Sequence, residues 1–140
     1  MFRKILVADD GSDGARRALE LGAGIAACCQ ADLHSVTVEE ELPRYAATMD
    51  EVEAFQERKE AFFAQVKAEA TRVAEQHGVA IECHVIAGHE VEATIRFCTE
   101  GAFDLLVLGF MGHSRIFERV WGSTSQTLTR LAPCHVLVAK

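Results

Sequence analysis

The chain has 140 residues, a length typical of one domain and too short for two. Hydrophobic residues make up 49% and charged residues 25% of the sequence, close to the averages for globular proteins, which argues against a disordered chain. The formal net charge of −7 disfavours general binding to nucleic acids or anionic membranes. No apolar run is long enough to cross a bilayer or to form a signal peptide. We therefore expect a cytoplasmic protein that does not insert into membranes.

The five cysteines and six histidines suggest neither a disulfide framework nor a metal site. The number of cysteines is odd, no Cys-x-x-Cys occurs, and each cysteine lies in an apolar stretch. We therefore expect small, reduced core residues, and for the adjacent Cys28 and Cys29 we favour core packing over redox sensing. The histidines show no metal-ligand spacing, so no metal ligand is predicted.

Short apolar runs alternate with helical patterns along the whole chain. Residues 5–8 form a continuous apolar run that is typical of a strand buried on both faces, and Ser12 is well placed to cap the following helix. The later predicted elements are, in chain order, a strand over 31–38, a helix over about 50–77, a strand over 81–87, a helix ending near 101, a strand over 104–109, a helix over about 123–131 and a strand over 135–139. The long helix should pack on the sheet through an apolar stripe that includes Val52, Phe62, Val66, Ala70 and Val73.

This order of elements predicts an open α/β fold. Strict alternation of strands and helices implies right-handed crossovers and a doubly wound, mainly parallel five-stranded sheet with helices on both faces. In such folds, ligands bind beyond the carboxyl ends of the strands, where the strand order reverses. Polar or glycine-rich segments follow the first strand at 9–12 and the fourth strand at 109–123. The functional site should lie at their shared edge.

The segment after the fourth strand has the features of a nucleotide-binding loop. Gly109 and Gly112 are separated by two residues, and nine further residues lead to Gly122 and Ser123 at the head of a helix. Glycines let the backbone approach a ligand closely and adopt positive φ angles. The free amides and the hydroxyl at a helix N-terminus favour an anion such as phosphate. The pattern therefore predicts a nucleotide whose phosphates lie against the helix start.

This Gly-x2-Gly-x9-Gly-Ser/Thr pattern resembles the ATP-binding loop of the universal stress protein family. The opening ILVADDGS, the second strand at 31–38 and the closing APCHVLV are similar to the corresponding segments of that family. The resemblance implies one UspA-like domain over residues 1–140 and a five-stranded parallel sheet. It also implies ATP at the switch point, often with a divalent ion such as Mg²⁺ on its phosphates, and a homodimer joined through the last strand, His135 to Ala139.

The resemblance also implies which residues contact the nucleotide. The family's binding positions fall on Ala8, Asp10, Val38, Gly109, Gly112, Gly122, Ser123, Thr124 and Ser125. The first three would line the adenosine, the two loop glycines would approach the ribose and phosphates, and the residues at the helix start would hold the phosphates.

Two of the positions that depart from the family pattern carry charged side chains. Asp9 stands where the family usually has an apolar or small residue. Since successive strand residues point to opposite faces, only one of the paired carboxylates can face the site, and we assign that role to Asp10. Arg115 stands where glycine is common, and we expect it to add charge-assisted hydrogen bonds to the phosphates.

Nucleotide binding is better supported than catalysis. No Ser/His/Asp or Cys/His order is recognisable, and no Walker A lysine follows the glycine loop, so no catalytic residue is predicted. We expect a nucleotide-dependent regulatory module of the stress response, with at most slow ATP hydrolysis and a possible protein partner. A nucleotide-independent dimeric interaction module of the same family stays open, although the intact glycine pattern argues against it. A response-regulator receiver fits poorly, since the third strand ends at Ala87 and Gly88 without an acceptor aspartate.

Overall fold

Five strands and four helices alternate in the computed structural model, which describes residues 1–40, 48–110 and 122–140. In chain order the elements are β1 Lys4–Ala8, α1 Asp13–Cys29, β2 Asp32–Glu39, α2 Met49–Gln76, β3 Ile81–Ala87, α3 Glu90–Glu100, β4 Leu105–Gly109, α4 Ser123–Leu131 and β5 His135–Ala139. The predicted order of strands and helices is confirmed. None of the described helices has the length and apolar character needed to cross a bilayer.

All neighbouring strands pair in parallel, in the order β3-β2-β1-β4-β5. The chain builds outward from β1 through β2 to β3, then crosses back to place β4 on the other side of β1. The strand order therefore reverses between β1 and β4, and this pair marks the switch point at which such folds bind ligands.

The central strand β1 separates two hydrophobic layers because its side chains alternate between the faces of the sheet. Ile5 and Val7 are fully buried against α1 and α2. Leu6 is fully buried on the opposite face, in a cluster with residues of α3 and α4 such as Cys98 and Leu128. The helices therefore cover both faces of the sheet, as predicted.

Helix α1 begins where the sequence predicts it. The Ser12 side chain accepts a hydrogen bond from the amide of Ala15 at 3.1 Å and so satisfies one of the free N–H groups at the helix start. Small residues on its buried face bring the helix close to the sheet: an added Cβ at Gly22 would lie only 2.8 Å from a methyl group of Val7.

The apolar stripe of α2 is buried only in the second half of the helix. Val66, Ala70 and Val73 are buried as predicted, whereas Val52 and Phe62 are 42% and 40% exposed. The 28 residues of α2 extend over about 42 Å, while a strand of at most eight residues covers about 26 Å. The first half of the helix therefore extends past the sheet, and periodicity alone overestimated its burial.

The expectation that all cysteines are core residues is wrong for Cys28. Cys98 is buried, with its Sγ 3.5 Å from that of Cys134, and burial raises the pKa of the Cys98 thiol to about 12. Cys28, in contrast, is exposed at the end of α1. It follows the buried Ala26 by two positions, about 200° around the helix, and so lies on the side that faces solvent.

Candidate functional site

The carboxyl ends of β1, β2 and β4 lie side by side at the switch point, and the start of α4 lies beside the end of β4. The amide of Asp9 donates to the carbonyl of Val36 at 2.9 Å, which joins the ends of β1 and β2. The hydroxyl of Ser125 donates to the carbonyl of Gly109 at 2.8 Å, and the amide of Gly122 donates to the carbonyl of Phe110 at 3.3 Å. These bonds seat the first turn of α4 directly beside the end of β4.

The N-terminus of α4 has the properties of an anion-binding surface. Gly122 is the N-cap, and no side chain caps the helix among the described residues. The first turn consists of Ser123, Thr124 and Ser125 and contains no acidic residue, and Ser123 is exposed. Backbone N–H groups in a first turn have no acceptor within the helix, and the helix dipole adds positive potential there. An anion at this position would meet amides and hydroxyls without a competing carboxylate from that turn.

Gly109 is required by packing between β4 and α1. A Cβ at this position would lie 2.5 Å from the carbonyl carbon and 2.7 Å from the carbonyl oxygen of Gly14, closer than real Cβ contacts. The glycines with positive φ among the described residues are Gly11, Gly78 and Gly88. Gly109 therefore does not adopt the positive φ angle that was one of two predicted reasons for a glycine at this position. The close approach that Gly109 permits is therefore to the backbone of α1.

The residues predicted to line the adenosine lie at the carboxyl ends of β1 and β2, and Ala8 and Val38 point to the α3 and α4 face of the sheet. Ala8 packs partly buried against the cluster that contains Leu6 and Val36. Val38 follows Val36 by two residues on β2 and so points to the same face. Asp10 follows β1, and its side chain accepts a hydrogen bond from the amide of Ser12 at 3.0 Å. The structure thus brings these positions to the edge where α4 begins.

Asp9 lies on the opposite face, towards α1 and α2. Its side chain is 5% exposed and accepts a hydrogen bond from the amide of Gly11 at 3.0 Å. Burial raises the pKa of Asp9 to about 6; the bond from Gly11 opposes this rise, and the nearby charges of Asp10 and Glu69 add to it. The sequence predicts no role for Asp9, although strand alternation points its side chain away from the face chosen for Asp10.

Asp9 borders a cavity of about 430 Å³ between α1 and α2, which is separate from the start of α4. Arg16 and Arg72 line the cavity, but both guanidinium groups are paired with the Glu69 carboxylate. Glu69 Oε1 lies 3.4 Å from Arg16 Nε and 2.6 Å from Arg72 Nη2. The hydrogen bond from Arg72 lowers the pKa of Glu69, which keeps this carboxylate charged. The paired cations make the cavity a weaker anion site than the N-terminus of α4.

Two of the predicted contacts, Gly112 and Arg115, lie outside the described residues. Among those described, the structure brings Ala8, Asp10 and Val38 to the same edge as the start of α4. It places Gly109 between that edge and α1.

Comparison with known proteins identifies the family. A sequence model described as the universal stress protein family matches residues 1–140. The chain belongs to the universal stress protein family. The universal stress protein Slr1230 of Synechocystis is 32% identical over 96% of the chain, which spans 41% of the length of that relative. A universal stress protein of Thermus aquaticus is 33% identical over the full length of both chains.

Solved universal stress proteins share the fold. UspA from Lactobacillus plantarum superposes with a TM-score of 0.85 at 25% identity, covering 99% of this chain and 98% of that one. A universal stress protein crystallised in complex with cAMP superposes with a TM-score of 0.77 at 27% identity, covering 99% and 97%. A family member from Arabidopsis thaliana with AMP bound shares the fold at 19% identity, with a TM-score of 0.69 and coverage of 99% and 91%. The five-stranded parallel architecture is that of the family.

Proposed function

We propose that this universal stress protein binds an adenine nucleotide at the switch point, with ATP as its regulatory ligand. The phosphates would contact the first turn of α4, and the adenosine would lie beside the carboxyl ends of β1 and β2. The observation that carries the proposal is the N-terminus of α4, which no described side chain caps and which is held against β4 at the reversal of strand order. The cAMP complex of a structural neighbour at 27% identity supports this class of ligand.

The residues at this edge fit the two ends of a nucleotide. The amides and hydroxyls of Ser123 and Thr124 provide donors for phosphate oxygens. Ala8 and Val38 offer apolar surface to the adenine, and the carboxylate of Asp10 is a suitable acceptor for ribose hydroxyls. Two adjacent carboxylates follow β1 and would repel phosphates, so the phosphates are more favourably placed at the start of α4 than at the end of β1. A divalent cation such as Mg²⁺ would offset the phosphate charge there.

Two further proposals concern the residues outside the described segments and the assembly. Arg115 would add a charge-assisted hydrogen bond to the phosphates and Gly112 would give them room, as the family resemblance implies. β5 is an edge strand of the sheet, and its outer edge is suited to pairing with a second copy in a homodimer. The same edge would serve a nucleotide-independent interaction module of the cytoplasm, which is the alternative function.

Two substitutions of Gly122 that differ in charge but hardly in size test the proposed phosphate site. A Cβ there has no described neighbour closer than 3.8 Å, and both Asp and Asn are favourable N-caps, so neither variant should harm the fold. We expect Gly122→Asp to weaken ATP binding at least about tenfold, which corresponds to about 1.4 kcal/mol, because its carboxylate faces the phosphates. Gly122→Asn, which is nearly identical in size, should bind much more tightly than Gly122→Asp.

The measurement is a calorimetric titration of nucleotide-free protein with ATP, with and without Mg²⁺. Equal ATP affinities of the Asp and Asn variants would contradict phosphate binding at α4. Absence of ATP binding by the wild-type protein would contradict the nucleotide proposal as a whole and favour the interaction module.

A further inference from the structure

Three side chains that can ligate a metal lie together near the amino ends of β2 and β3. The proposed nucleotide site lies at the opposite, carboxyl ends of the strands. In the parallel register His34 lies opposite Glu82, and His84 follows Glu82 by two residues, so all three side chains are on one face. These residues are 48 and 50 positions apart in the chain, and the pairing of β2 with β3 brings them into contact.

The donor atoms of the three side chains converge on a common point. His34 Nδ1 lies 3.0 Å from His84 Nε2 and 3.6 Å from a carboxylate oxygen of Glu82, whose other oxygen is 3.9 Å from His84 Nε2. All three ligating atoms lie within 4.8 Å of one another. Ligands of a tetrahedral zinc ion, bound at about 2.0–2.2 Å, are about 3.4 Å apart. The observed separations therefore need only small side-chain movements to surround one ion.

The two imidazoles are held in place by aromatic packing. Their ring planes lie within 12° of each other with centroids 5.3 Å apart, His34 contacts Phe103 edge-on at 5.1 Å, and His84 packs against Phe97 at 4.8 Å. The His34 and His84 side chains are 13% and 25% exposed, whereas Glu82 is 69% exposed. The imidazoles thus form a packed pair, and the exposed carboxylate leaves access from solvent.

We propose that His34, Glu82 and His84 form a binding site for a divalent transition-metal ion of the zinc class. His34 Nδ1, His84 Nε2 and the Glu82 carboxylate would supply three ligands, and water would complete a tetrahedral shell. Two imidazoles and one carboxylate suit Zn²⁺, Co²⁺, Ni²⁺ or Cu²⁺, whereas Mg²⁺ and Ca²⁺ prefer oxygen-only shells. On binding, both facing nitrogens must offer lone pairs to the metal, so the imidazole that donates in the free pair changes tautomer and carries its proton on its other ring nitrogen.

The test is a titration of untagged, metal-stripped protein with Co²⁺, followed by competition with Zn²⁺, in the absence of nucleotide. Three variants are compared with the wild-type protein: His84→Gln, Glu82→Gln and, as a matched control, His89→Gln. Glu82 is exposed, so its substitution should leave folding intact. His89 is exposed at the start of α3, beyond the other end of β3, and its side chain makes no capping hydrogen bond.

We expect one equivalent of Co²⁺ to give the visible absorption of a tetrahedral site, and Zn²⁺ to displace it. Loss of an outer-shell partner alone typically costs about 10–100-fold in metal affinity, so His84→Gln and Glu82→Gln should each weaken binding at least about tenfold, and His89→Gln should not. Wild-type affinity in either ligand variant would overturn the proposal, as would the absence of binding. Thiolate-to-cobalt charge-transfer bands would overturn it as well, because they would assign the metal to cysteines.

Discussion

Replacement of Gly109 with alanine should lower the free energy of unfolding by about 3 kcal/mol, at the upper end of the cost of overpacking a well-packed core. The added methyl group would lie 2.5 Å from the carbonyl carbon of Gly14, in the backbone of α1. A backbone that is hydrogen-bonded within a helix cannot rotate away as a side chain can, so β4 and α1 must separate. Urea denaturation of the variant and the wild-type protein at pH 7 measures the difference.

Gly24→Ala is the matched control for this prediction, because it adds the same methyl group within α1 itself. The Cβ at Gly24 would lie 3.8 Å from the ring of His77, an ordinary van der Waals separation. Alanine is also the better residue inside a helix, so Gly24→Ala should raise stability by about 0.5–1 kcal/mol. If Gly109→Ala were as stable as the wild-type protein, the described packing of β4 on α1 would be wrong.

Asp9→Asn should stabilise the protein in neutral and alkaline solution, by up to about 3 kcal/mol. Burial raises the pKa of Asp9 from 3.8 to about 6, so the folded state binds its proton more tightly than the unfolded state does. In the wild-type protein, this tighter proton binding stabilises the folded state fully below pH 3.8. The stabilisation is lost as the pH rises through about 6, because the buried carboxylate must then ionise. Asparagine keeps an oxygen that can accept the hydrogen bond from the amide of Gly11, and it carries no charge.

The difference in unfolding free energy between Asp9→Asn and the wild-type protein should therefore depend on pH. It should be largest near pH 8 and shrink towards pH 4. Comparison of the two proteins at each pH cancels the contributions of the other carboxylates. A variant that is less stable than the wild-type protein at pH 8, or a difference that does not change with pH, would show that Asp9 is not buried as described.

Local sequence signals were sufficient to predict the fold and the position of the switch point, where we propose that the nucleotide binds. Ser12 and Gly122 mark helix starts through rules that depend on a few neighbouring residues, and both helices begin there. Strict alternation of apolar strands and helices implied the parallel sheet, and the polar ends of β1 and β4 indicated its switch point. The family resemblance added the individual ligand positions.

The features that the sequence did not predict depend on which distant segments meet. The need for glycine at 109 arises from contact with Gly14, ninety-five residues earlier. The exposure of Phe62 depends on where the sheet ends beneath α2. His34, Glu82 and His84 have no metal-ligand spacing in sequence, and only the register of β2 with β3 brings them together. No pattern within one element contains this information.

An amide-resolved NMR titration of the nucleotide-free protein with ATP tests the nucleotide site most directly. If the phosphates bind where we propose, the largest shifts will be at the amides of Ser123, Thr124 and Ser125, with smaller shifts at Ala8 and Val38. The cavity beside Asp9, whose arginines are paired with Glu69, should respond weakly. Largest shifts at Gly11, Arg16 and Arg72, or no shifts at all, would contradict nucleotide binding at the start of α4.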